Sequence, residues 1–179
     1  MEINKLLKMV PCEFSSVVLT ARGVDYQGYI GVGLKTKQLM SILESHWLKF
    51  HAENIRAFVG SSVITSATDY FNPIYIMPRM SVIDVISFSK CGSHNTMDSS
   101  HHEKVFNVLR GIFNQYPFDI QFADEAGLSA KFITNISKSS AMDISEKILS
   151  INPEAYDVVE PMNMHEYLLE KQQIRLWWD

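Results

Sequence analysis

Cys91-Gly92-Ser93-His94, with His101 and His102 close behind, is the cluster of side chains in this sequence best suited to chemistry. A thiolate and imidazoles at these spacings could bind Zn²⁺, and Cys91 with His94 could act as nucleophile and base. A metal site wants three or four ligands, and a catalytic base wants a third group to orient it. Asp98 and Glu103 are within the same stretch, but at no recognised spacing. The functional alternative that residues 91–103 support is a small metal- or Cys/His-dependent hydrolase. The plainer reading is a polar loop between two packed elements.

Two further features invite chemistry and yield to structural explanations. In the Gly-rich stretch 28–36, Leu34 separates Gly33 from Lys35-Thr36, so the contiguous Gly-Lys-Thr of a phosphate loop is broken. Glycines on one face of a strand there let another backbone come close. Asp84 stands inside an apolar run, where a carboxylate must be paired, line a pocket or lie on a less buried face. Arg79, Arg56 or Arg175 are its candidate partners, and a structural ion pair is the expected outcome.

Charge is uneven. Residues 1–100 hold nine Lys/Arg against eight Asp/Glu, whereas 101–179 hold seven against twelve. Within 140–170, Lys147 alone opposes Asp143, Glu146, Glu154, Asp157, Glu160, Glu166 and Glu170. Phosphate recognition needs the opposite field, which argues against nucleic acid as a ligand. A basic protein partner fits better, with Asp143, Glu146, Glu154, Asp157 and Glu160 as the candidate contacts. Asp143 and Glu166 also suit helix termini, and a solvated acidic face kept for solubility is the bland alternative.

The elements that position these residues follow from periodicity. A short helix is expected over 1–9 and strands over 16–21 and 28–34, the second alternating Ile30, Val32 and Leu34 with glycine. Thr36 is expected to cap a helix to about Phe50 along Leu39, Leu43 and Trp47. Strands follow at 55–59, 63–65 and 74–77, the last confined by Pro73 and Pro78 to an edge or a short piece. Val82 to Phe88 is apolar on both faces and reads as a central strand. Ser100 and Glu103 have capping-box spacing for a helix ending at Pro117. Residues 118–134 alternate around Asp124-Glu125-Ala126-Gly127 as a β-hairpin. A linker at 137–140 precedes a helix over 141–151, and Asn163 with Glu166 opens another. The chain closes on a strand through Trp177 and Trp178. Neighbours in a strand face opposite ways, so one indole should be buried and the other partly exposed.

Interleaved helices and strands with a hairpin imply an α+β fold: one domain over 1–179, a mixed sheet with an antiparallel hairpin, and about four helices. A hydrophobic content of 46% with 20% charged residues is ordinary for a globular protein. No run approaches the roughly 18 apolar residues of a membrane span, and no secretory leader is evident. Two cysteines are too few for a disulfide framework and fit the reducing cytoplasm.

From about Val105 onward the order of elements resembles a family of small uncharacterised bacterial proteins defined only as a domain of unknown function. The shared features are a helix closing at Tyr116-Pro117, a strand pair with an acidic turn, a helix over 141–151, a Pro- and Asp-containing segment at 153–157, a further helix and the terminal Leu176-Trp177-Trp178-Asp179. The resemblance implies no known activity. In size, charge and lack of catalytic motifs the chain is also similar to immunity proteins, which neutralise toxins. The expectation is a non-enzymatic protein-binding module, an immunity protein that binds and inhibits a basic, nuclease-type toxin, with no cofactor and no metal.

Overall fold

A computed structural model describes residues 3–60, 63–64, 70–93, 99–155 and 162–178. The fold is α+β, with six helices among the described residues and a mixed, mostly antiparallel seven-stranded sheet. In chain order the elements are α1 (Ile3–Leu7), β1 (Glu13–Ala21), β2 (Val24–Val32), α2 (Thr36–Ala52), β3 (Ile55–Val59), β4 (Val63–Ile64), β5 (Tyr70–Phe71), β6 (Ile74–Pro78) and α3 (Val82–Ser89). There follow α4 (Ser99–Gln115), β7 (Phe118–Ala123), β8 (Gly127–Phe132), α5 (Lys138–Leu149), α6 (Met164–Lys171) and β9 (Gln173–Trp177). The sheet order is β1-β2-β6-β3-β7-β8-β9; β3 and β7 run parallel, and β4 and β5 form a separate ribbon. Among the described residues no helix is long and apolar enough to cross a membrane.

Packing groups the chain into two compact units, one built on the described residues up to Ser89 with Gln121–Ala123, the other on Lys90–Ile120 and the residues from Asp124 onward. In the first, alternation along β3 and β6 puts Ile55, Val59, Ile74 and Ile76 in one core with Leu39, Leu43 and Phe50 of α2 and Leu6 of α1. The opposite face carries Phe58 and Tyr75, whose rings stack at 5.2 Å, and Tyr75 meets Phe88 of α3 edge-on at 5.8 Å. β1 and β2 pair without a break from Ala21↔Val24 to Glu13↔Val32. Their two-residue turn has Arg22 at φ 50° and Gly23 at φ 78°, the twin left-handed turn that matches strand twist. Gly28 has a specific reason to be glycine: a Cβ there would lie 2.6 Å from the Ile76 carbonyl oxygen.

The largest correction to the sequence reading is residues 82–88, expected as a central strand and found as α3. A short run apolar all round has no periodicity to separate strand from buried helix. Ser81 decides locally, because its Oγ accepts the Asp84 backbone N–H at 3.1 Å and so caps the first turn. Of the two alternatives for β6, an edge or a short piece, the second holds: it is five residues long and lies between β2 and β3; Pro78 is tolerated because it is the last residue of the strand, opposite Ile55. Three helix starts also shift. Lys35 is the N-cap of α2, with its N–H donated to Gln38 Oε1 at 3.2 Å. α4 begins at Ser99, which places Ser100 inside the first turn. Ser137 caps α5, so 138–140 is helix rather than linker.

The hairpin forms as expected, β7 and β8 being joined by a turn in which Asp124 Oδ1 accepts the N–H groups of Ala126 and Gly127. Asn163 and Glu166 make the expected capping box on α6. β9 pairs antiparallel with β8 along its whole length. Trp178 is 8% exposed and Trp177 48%. The buried indole donates to the Ile151 carbonyl at 3.4 Å, and Asn152 Nδ2 donates to the Trp177 carbonyl at 2.7 Å, which ties the strand down at its end.

Candidate functional site

Three places carry the polar groups that could do chemistry or recognition. The first surrounds Asp84, whose side chain is 10% exposed. The capped start of α3 presents its carboxylate to the β1–β2 hairpin. Tyr26 donates its hydroxyl to Oδ2 at 2.7 Å, Ser81 donates to the same oxygen, and the Arg22 guanidinium stands 3.7 Å from Oδ1. A cleft of about 490 Å³ beside Tyr26 is bounded by Asp25, Gln27, Pro78 and Arg79. The hydrogen bond to Asp84, then burial, then the carboxylate's charge raise the Tyr26 phenol above its ordinary value. The phenol therefore stays protonated at neutral pH with its hydrogen already given to Asp84, and the carboxylate is engaged by three groups. This constellation holds a helix start against a hairpin. The expected ion pair is present, but with Arg22 instead of Arg79, Arg56 or Arg175.

The second place is the Cys/His segment. Cys91 is fully buried, and its thiol donates to the Gly127 carbonyl at 3.9 Å. Burial first, and the Asp124 charge second, push the thiol far above its usual range, so the nucleophilic thiolate is disfavoured. His102 Nδ1 lies 2.9 Å from the Cys91 carbonyl oxygen, a bond to backbone and not to sulfur. Gly92 N–H donates to the Glu125 carbonyl, binding the segment to the hairpin turn. His101 packs beside Gly92. His94 and Asp98 lie outside the described residues, among which no three His, Cys, Asp or Glu converge as a metal site.

The third place is the acidic set. Asp143 is paired with Lys147 one turn on at 2.7 Å. Glu146 on α5 and Glu154 after it are exposed. Asp157 and Glu160 lie outside the described residues. Glu166 is spent on its capping box and Glu170 on Lys171. Beside Glu146, at the i−4 position, Met142 is 49% exposed. No family model matches the chain, nor does any curated protein or solved structure.

Sequence reasoning missed Tyr26, Arg22 and Ser81 as the surroundings of Asp84. The Ser81-x-x-Asp84 spacing was a legible signal for the cap. Nothing local ties Tyr26 to a residue 58 positions away.

Proposed function

We propose that this protein is a non-enzymatic protein-binding module whose partner is a basic protein, and that it acts as an immunity protein by inhibiting a nuclease-type toxin. One observation supports this reading most. On α5 and just beyond it, Glu146 and Glu154 are exposed carboxylates without an ion-pair partner among the described residues, and the exposed Met142 lies one helical turn from Glu146. An apolar side chain with a charged surround is how interfaces are built, with the apolar atoms excluding water and the charges steering encounter. Carboxylates on such a surface compete for the sites where a nuclease would hold phosphates, and the deficit of positive charge over 140–170 extends the attraction beyond contact.

Affinity capture from a bacterial lysate with the wild-type chain and with Glu146→Lys/Glu154→Lys as baits tests it. The reading expects a basic protein held by the wild type and released by the variant, and loss of that protein's nuclease activity on binding. Identical captures by the two baits, or a captured protein of acidic character, would overturn it.

A further inference from the structure

β1 is the terminal strand of the seven-stranded sheet, and among the described residues nothing pairs with its outer edge. Natural edge strands are commonly kept short, bulged, or guarded by Lys or Pro. This one has none of those guards. It runs nine residues, Glu13-Phe-Ser-Ser-Val-Val-Leu-Thr-Ala21, in unbroken register with β2. The opposite edge, β9, is five residues long and carries Arg175.

The hairpin turn fixes which backbone groups face outward. A two-residue turn closes with a hydrogen-bonded pair, here Ala21 and Val24. Alternation then turns Leu19, Val17, Ser15 and Glu13 toward β2 and leaves the N–H and C=O of Thr20, Val18, Ser16 and Phe14 on the outer edge. The contact between Thr20 Oγ1 and Asp25 Oδ1 at 2.7 Å fits this phase, because side chains approach in the non-hydrogen-bonded pairs.

We propose that this edge pairs with β1 of a second copy of the chain, antiparallel about a two-fold axis at Val17. That register matches every outward residue with an outward residue, Ser16 with Val18 and Phe14 with Thr20, each twice. It sets Val18, 57% exposed, against the small Ser16 of the other copy. There a groove of about 460 Å³, bounded by Ile3, Gln27 and Tyr29, has room for it. It also carries Glu13, exposed and without an ion pair among the described residues, to the Ala21–Arg22 end of the other copy, where the Arg22 guanidinium is half exposed beside Asp84. A two-fold interface repeats each of these contacts. The pairing is independent of the acidic surface on α5 and needs no other partner to be tested.

Light scattering on the eluting full chain should give about twice 20.5 kDa for the wild type. Ser16→Lys/Val18→Lys puts like charges opposite each other at both pairs and should give a monomer, while Ser16→Lys/Val18→Glu puts opposite charges there and should keep the dimer. Circular dichroism matching the wild type would show that both variants are folded. A monomeric wild type, as when the edge serves a different protein's strand, would overturn the proposal. So would a dimer indifferent to the Lys/Lys variant, or one that both variants disperse alike.

Discussion

Tyr26 donates a hydrogen bond of 2.7 Å to Asp84 Oδ2 across 58 positions of sequence, joining the β1–β2 hairpin to the first turn of α3. The same carboxylate accepts from Ser81, the residue that caps α3. One acidic side chain thus serves a helix start and a tertiary contact together. Burial of Val82, Val85 and Ile86 packs the apolar α3, and this carboxylate ties its first turn to the hairpin.

Removing the phenol should be felt in stability. Tyr26→Phe should lower the unfolding free energy by about 1–2 kcal/mol, the size of a hydrogen bond to a charged acceptor in a partly exposed setting. Urea titration at neutral pH measures this. The raised phenol pKa adds a pH signature. The folded state holds that proton more tightly than the unfolded chain, so the contribution is complete below pH 10.0 and drains as pH rises beyond it. The loss of stability above that pH should be shallower in Tyr26→Phe than in the wild type.

The two terminal indoles should differ sharply. Trp178→Ala removes a buried ring and its bond to the Ile151 carbonyl, and should cost about 3–5 kcal/mol. Trp177→Ala, at a half-exposed position, should cost under about 1 kcal/mol. Thermal unfolding of the two variants side by side gives the comparison.

The fold was legible where periodicity had enough length to speak. Leu39, Leu43 and Phe50 marked α2, the alternation of Phe118, Ile120 and Phe122 marked β7, and Asn163 with Glu166 marked the start of α6. It failed at 82–88, where seven largely apolar residues suit a buried helix as well as a buried strand, and only the Ser81 cap distinguishes them. At β6 the two prolines left an edge or a short piece open, and the strand is the short piece, five residues long and inside the sheet. Of the candidate site residues, the ion pair at Asp84 followed from its burial. Its partner did not, since Arg22 is brought there by a hairpin and a helix packing together.

The thiols should be equally distinct. Cys12 is partly exposed and Cys91 wholly buried, and burial raises both above the ordinary thiol range, Cys91 far more. A native-state thiol titration should therefore show one reactive group promptly, absent in Cys12→Ser, and the second only with unfolding. The sign of the pH dependence follows. The stability that the protonated Cys91 contributes is whole below pH 9.0 and is lost as pH rises above it.

The most direct test of the binding role is a calorimetric titration of the captured basic protein with the wild type and with Glu146→Lys/Glu154→Lys, each at low and high salt. Affinity for the wild type should fall as salt rises, and the variant should bind about tenfold or more weakly at low salt. Equal affinities for the two chains, unchanged by salt, would contradict recognition through the acidic surface.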